Sequence, residues 1–163
     1  MKKLKAQLQN KKIAIIGLGY VGLPLAVEFG KKYQTTGFDS SEIRLRELKK
    51  GYDKTLEQTE KQIKSAKKLR FTSRIKDIKE ANIYVVTVPT PIDKFNNPDL
   101  SPLKSATTTI GSLLSKGDIV IFESTVFPGA TEEVCVPILE DESGMKFNED
   151  FFCGYSPERI NPG

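Results

Sequence analysis

Gly17, Gly19 and Gly22, with a carboxylate at Asp39, are the residues whose type and spacing point most directly to chemistry. In Gly17-Leu18-Gly19-Tyr20-Val21-Gly22 each glycine has its own task. Gly17 lets the chain turn sharply, Gly19 lets backbone approach a pyrophosphate, and Gly22 lets a following helix pack close to the preceding strand. The amides at Tyr20 and Val21 open that helix, whose first N–H groups lack intrahelical acceptors and favour phosphate. Asp39 stands 20 residues after Gly19, where a carboxylate accepts from both ribose hydroxyls and disfavours a 2'-phosphate. The expected cofactor is therefore NAD rather than NADP. Arg44, five residues beyond the acid, is expected to stack on the adenine or to be solvated.

Those residues need particular elements beneath them. Ile13, Ala14, Ile15 and Ile16 are an apolar run without alternation, as in a parallel strand buried on both faces. A helix follows, expected to turn Val21, Leu25, Ala26 and Phe29 toward a core, and residues 34–38 form a second strand ending at Asp39. Ser40 or Ser41 caps a helix through Lys50, with Ile43, Leu45 and Leu48 inward and Gly51 as its stop. Residues 55–68 read as a polar helix, 69–72 as a short strand, 75–81 as a helical turn, and IYVVTV at 83–88 as a central strand. That strand delivers Pro89 and Thr90 to the carboxyl end of the sheet, where doubly wound folds collect their ligands, so Thr90 is expected to face the cofactor. Beyond a polar loop at 94–99, Ser101-Pro102 reads as an N-cap and first helical residue of a helix running to Ser115, with Gly117 as its stop. Residues 119–122 form another strand, which presents Glu123, Ser124, Thr125, Pro128 and Gly129. A helix at 131–142, kinked by Pro137 and ended by Gly144, leads to a last strand at 151–155. The alternation predicts one α/β domain over residues 1–163. It is a Rossmann-type doubly wound, mostly parallel six-stranded sheet, order 3-2-1-4-5-6, with helices on both faces.

Composition limits the alternatives. A hydrophobic share of 38 % against 28 % charged residues describes a globular chain, and no apolar run reaches the ~18 residues of a membrane span. The basic amino end has no apolar segment of signal-peptide length behind it, so a cytoplasmic protein without membrane contact is expected. The net charge of +4 raises nucleic acid as a partner. The lysines gather in residues 49–70, interleaved with Glu57 and Glu60 and nearly without aromatics, which describes a solvated face. The absence of histidine excludes His-based triads and His metal sites, and no metal is expected.

Taken in order, GLGYVGLPLA, FDxxxxRxxxL, VPTP, ESTVFPG and SPERINPG each fall at a strand end. This series resembles the amino-terminal NAD-binding domain of the nucleotide-sugar 6-dehydrogenases, the UDP-glucose and UDP-N-acetyl-D-hexosamine (GlcNAc, GalNAc or ManNAc) family, over nearly all of residues 12–163. SPERINPG is more similar to the N-acetylhexosamine members, which make uronates for surface polysaccharides. The resemblance implies oxidation of a sugar C6 alcohol to a carboxylate with two NAD, through a thiohemiacetal and thioester on a cysteine. It implies that Gly17, Gly19, Gly22 and Asp39 hold NAD together with Tyr20, Val21, Arg44, Pro89, Thr90 and Ser124. Thr125 lines the nicotinamide side, Glu158 acts with Thr125 to place the hydrolytic water, and Glu158 with Arg159 meets the substrate.

The resemblance also implies what this chain does not carry. The catalytic lysine, asparagine, cysteine and aspartate of the family, and the central helix through which the full-length enzymes pair as homodimers, fall beyond residue 163. Where glucose-type members carry a second glutamate, Pro162 stands. Cys153, expected on the last strand, and Cys135, within a helix, are read as small hydrophobes rather than nucleophiles. The chain is expected to be a fragment inactive by itself. A stand-alone NAD-binding module and a hydroxyacid-type dehydrogenase are the rival readings, the second disfavoured by ESTVFPG and SPERINPG.

Overall fold

Ile13, Ala14, Ile15 and Ile16 are all buried, and successive side chains enter different cores, as the period-two geometry of a strand requires. The computed structural model describes residues 11–92, 98–124 and 126–156. In it β1 (Lys12–Ile16) lies between β2 (Gln34–Phe38) and β4 (Ile83–Val86), Ile15 opposing Gly37 on one side and Val85 on the other. With β3 (Leu69–Thr72), β5 (Ile119–Phe122) and β6 (Phe152–Tyr155) the order is β3-β2-β1-β4-β5-β6, every pairing parallel. This is the predicted six-stranded arrangement, with no antiparallel strand among the six.

Ala14 and Ile16 pack with Tyr84, Val86, Leu103, Ile110, Phe122 and Leu139 under α4 (Ser101–Gly111) and α5 (Val136–Ser143). Ile13 and Ile15 face Leu23, Ala26, Val27, Leu45 and Leu48 under α1 (Gly22–Gly30) and α2 (Glu42–Lys49). A short α3 (Glu60–Ser65) adds Ile63 to this second core.

Several local expectations are corrected. In α1 the fully buried apolar side chains are Leu23, Ala26 and Val27, while Leu25 and Phe29 only flank the core and Val21 is the N-cap. In α2 it is Arg44, Leu45 and Leu48 that turn inward, and Ile43 is 60 % exposed. Residues 55–68 are not one helix. Asp53 folds the start of that stretch into turns by accepting from the Thr55 and Gln58 amides, and Leu56 takes φ 61°. The helix begins only after Thr59, whose hydroxyl and Gln62 form a reciprocal cap. Ser101 is the first residue of α4 rather than its cap, its amide donating to Asp99 Oδ1, and α4 ends at Gly111 rather than Ser115. Pro137 sits in the first turn of α5, and a π-helical turn over Thr131–Cys135 absorbs the break before it. Part of the expected 94–99 loop falls within residues 93–97, outside the described residues.

The two sheet edges differ. β3 carries Arg70 in the strand, whereas β6 presents Phe152 and Tyr155, 43 % and 46 % exposed, and no charge.

Among the glycines of the described residues, the tightest surroundings are at Gly22. A methyl there would lie 1.9 Å from the Gly17 carbonyl oxygen and 2.4 Å from Thr87 Oγ1, so α1 packs on the end of β1 only with hydrogen at this position. Gly17 itself takes φ 96°, the turn that directs the chain from strand to helix. We expect Gly22→Ala to destabilise the chain by about 3 kcal/mol or more, because the obstructing atoms are mainly backbone. A thermal melt within 2 °C of the unmodified chain, a shift equivalent to at most about 1 kcal/mol, would contradict this.

Candidate dinucleotide site

The carboxyl ends of β1, β2 and β4 open onto a cleft of about 620 Å³, bounded by the glycine turn, the Asp39 loop, residues 87–89 and one face of α4. It lies at the switch point between β1 and β4, where the chain order reverses. A smaller concavity of about 300 Å³ at the opposite end of the strands also holds charged groups. Those groups are partnered: Lys12 pairs with Glu80, and Arg70 donates to Thr36 Oγ1 and the Asp77 carbonyl.

Asp39 follows β2 directly, and both its oxygens accept from backbone. Oδ2 takes the Leu18 amide at 2.9 Å and Oδ1 takes the Ser41 amide at 2.8 Å. The carboxylate is thus held against the glycine turn, on the wall of the cleft, with lone pairs remaining for ribose hydroxyls. Gly19 is exposed, and a Cβ built on it meets nothing within 4 Å. Its lack of a side chain therefore has no packing reason here, unlike Gly22, and suits the passage of a pyrophosphate. The N-terminus of α1 has no side-chain cap; the Leu23 amide donates to the Gly19 carbonyl at 3.1 Å and Pro24 has no N–H, so an anion would meet the amides ahead of them, at residues 20–22. Tyr20 is 41 % exposed beside it.

The other candidates are distributed unevenly. Pro89 lines the cleft. Thr90 does not, yet its Oγ1 is buried and has no hydrogen-bond partner among the described residues. Ser124 is buried and donates to the Val88 carbonyl at 2.7 Å, bracing the end of β4 rather than facing the cleft. Thr125, Glu158 and Arg159 lie outside the described residues.

Arg44 is neither solvated nor free to stack. It is 3 % exposed, Nε donates to the Leu18 carbonyl at 2.9 Å, and Nη2 lies 2.8 Å from Asp53 Oδ1. The Nη2 contact is a close ion pair rather than a well-aligned hydrogen bond. Burial alone would raise the Asp53 carboxyl, but Thr55, Arg44 and Gln58 donate to it and hold it below its ordinary value.

The sequence reading missed Thr87, Asp53 and the α4 wall. Thr87 Oγ1 donates within reach of two carbonyls, Ile16 at 3.1 Å and Gly17 at 2.7 Å, tying β4 to the turn. Pro102, Ser105, Ala106 and Thr109 line the cleft, and their three-to-four spacing on a helix was the signal available for them. The thiols behave as read. Burial pushes Cys135 up to about 11 and Cys153 to about 12, which keeps both neutral and unreactive near neutral pH. Cys135 falls in the π-helical turn, and Cys153 on β6 is half-buried. No helix among the described residues is long and apolar enough to cross a membrane.

A glycine turn at the switch point of a parallel sheet, with a carboxylate fixed at the end of β2, defines a dinucleotide-binding domain of the doubly wound class. Residues 11–163 match the family model described as UDP-glucose/GDP-mannose dehydrogenase family, NAD binding domain, and the chain belongs to that family. It is 62 % identical over 156 residues to UDP-N-acetyl-D-glucosamine 6-dehydrogenase of Salmonella typhi, and 59 % identical to the enzyme of the same description from Pseudomonas aeruginosa. Each alignment covers 96 % of this chain and 37 % of the relative. Among solved structures, NDP-N-acetyl-D-galactosaminuronic acid dehydrogenase from Methanosarcina mazei Go1 superposes with a TM-score of 0.87 at 33 % identity, over 99 % of this chain and 37 % of that one. The chain spans little more than a third of the length of these relatives.

Two outcomes test the site. Gly19→Val should leave the melting temperature within 2 °C and remove NADH binding, since the added side chain enters only the cleft; a lost fold would make the turn structural at Gly19 too. Asp53 gives a pH signature. Its folded carboxyl titrates below its ordinary 3.8, so its stabilisation is complete above that value and is lost as pH falls through the lower folded value. The stability gap between the unmodified chain and Asp53→Asn should be constant from pH 5 to 8 and should shrink below the ordinary 3.8. A gap unchanged down to pH 2 would contradict the assignment.

Proposed function

We propose that this chain is the cofactor-binding part of a UDP-N-acetylhexosamine 6-dehydrogenase, which oxidises the sugar C6 alcohol to the uronate for surface polysaccharide in the cytoplasm. The observation that carries the reading is the empty space at Gly19 between an uncapped helix N-terminus and a carboxylate fixed by the Leu18 amide. The names borne by the relatives support the substrate class. We read residues 1–163 as one domain, with the sugar pocket, the thiol and the dimerising helix of the family in sequence this chain does not contain.

NAD fits the residues present, and when bound it supplies the hydride acceptor. Gly17 sets the turn, Gly19 with the amides at Tyr20 and Val21 receives the pyrophosphate, and Gly22 lets α1 sit close enough to offer them. Asp39 accepts from the ribose hydroxyls. Arg44 borders the adenosine end and Pro89 walls the cleft. The unpartnered Thr90 hydroxyl is suited to donate to the nicotinamide side, with Ser124 bracing that loop from beneath. Thr125 lines the nicotinamide, Glu158 with Thr125 orients a water, and Glu158 and Arg159 contact the sugar nucleotide.

Calorimetry should show NADH binding and NADPH binding at least about tenfold more weakly, because a 2'-phosphate would meet Asp39 as a like charge. Equal affinities would overturn the Asp39 assignment. Absorbance at 340 nm, an instrument setting, should show no NADH formed from UDP-GlcNAc, UDP-GalNAc, UDP-ManNAc or UDP-glucose, since no activated thiol is present to form a thioester. Turnover surviving Cys135→Ser with Cys153→Ser would mean that a complete site exists in this chain.

A further inference from the structure

We infer that Asp53, a residue that lines no part of the cleft, sets the preference for NAD over NADP by neutralising Arg44. This rests on the reading of the cleft as the NAD site. The backbone of Leu18 is held on both sides: Asp39 Oδ2 accepts from its amide and Arg44 Nε donates to its carbonyl, each at 2.9 Å. Arg44 therefore lies on the cleft wall beside Asp39, within the region a 2'-phosphate would enter. A free guanidinium there would be a phosphate receptor, planar and permanently charged. Its Nη1 is buried and has no partner among the described residues, so that donor is unspent.

What keeps Arg44 from that role is the carboxylate behind it. Asp53 has a fully buried side chain, pairs with Nη2 at 2.8 Å, and is fixed by the Thr55 hydroxyl at 2.7 Å and the Thr55 and Gln58 amides at 3.0 and 2.9 Å. Three hydrogen-bond donors and the Arg44 charge on two oxygens keep it ionised and in place. The pair contributes almost no net charge to the cleft wall, which leaves Asp39 to dominate near the ribose. Lys54, on the rim, is the other cation lining the cleft and is exposed to solvent and its screening.

The test is the ratio of NADPH to NADH affinity, measured by quenching or enhancement of nicotinamide fluorescence on three chains. The unmodified chain comes first: failure to bind NADH would dispose of the cofactor reading itself, whereas binding isolates the question of preference. Asp53→Asn keeps the shape and removes the charge, and we expect the ratio to move toward NADPH by about tenfold. A merely structural Asp53 would weaken both nucleotides by the same factor, and that result overturns the inference. The neutral pair Asp53→Asn with Arg44→Gln should restore the ratio to within about twofold of the unmodified chain, since removing both charges leaves the net charge of the cleft wall unchanged and no buried ion uncompensated. If the single variant does not fold, this pair decides: a ratio moved tenfold against NADPH would mean that Arg44 already acts as an unneutralised cation, contrary to the inference.

Discussion

At Gly22 the first helix comes within hydrogen-atom distance of the end of β1, and this approach governs what surrounds it. The Gly17 carbonyl and the Thr87 hydroxyl occupy the space any side chain at position 22 would need. Thr87 in turn bonds the Gly17 and Ile16 carbonyls, so the turn, the helix and β4 meet at one point. The cleft lies directly beside that point, lined by Gly17, Leu18, Gly19 and Thr87 on one side and by α4 on the other.

Around that contact the structure uses charge sparingly. Asp39 and Arg44 grip the amide and the carbonyl of one residue, Leu18, and Asp53 balances Arg44 from behind. Breaking a buried pair by removing one partner leaves an uncompensated ion, which is why such pairs hold geometry more reliably than they add stability. The glycine turn, which has few side chains of its own, takes its rigidity from these neighbours.

Much of this was legible in the chain itself. Parallel strands buried on both faces leave continuous apolar runs, so IAII, IVIF and most of IYVVTV could be placed, and the sheet order followed from the alternation. The glycine turn and the acid after β2 were readable as a pair from their spacing, and the structure brings them together on one cleft. The failures share a cause. Arg44 and Ile43 were assigned to the wrong sides of α2 because the partner that draws Arg44 inward, Asp53, lies past the helix and pairs only in three dimensions. Residues 55–68 contain helix formers throughout, and Asp53 overrides them by hydrogen-bonding the start of the stretch into turns. The Thr59-to-Gln62 capping pair was present as a signal and marks where the helix begins. Pro102, Ser105, Ala106 and Thr109 carry no charge, and their three-to-four spacing marks one face of a helix without saying what it faces; only their position opposite the glycine turn reveals that face as a wall.

The unequal sheet edges have a practical meaning. β3 is guarded by Arg70, whose burial against a second chain would strand a charge. β6 offers a short ladder of backbone donors and acceptors flanked by Phe152 and Tyr155 with no charged residue in the strand, the kind of edge on which another strand can add. Among the described residues β6 pairs only with β5, so a melting curve or binding isotherm that shifts with protein concentration would report strand addition at this edge. Working at low micromolar concentration, or placing a lysine at position 152, separates the behaviour of the fold from that of its open edge.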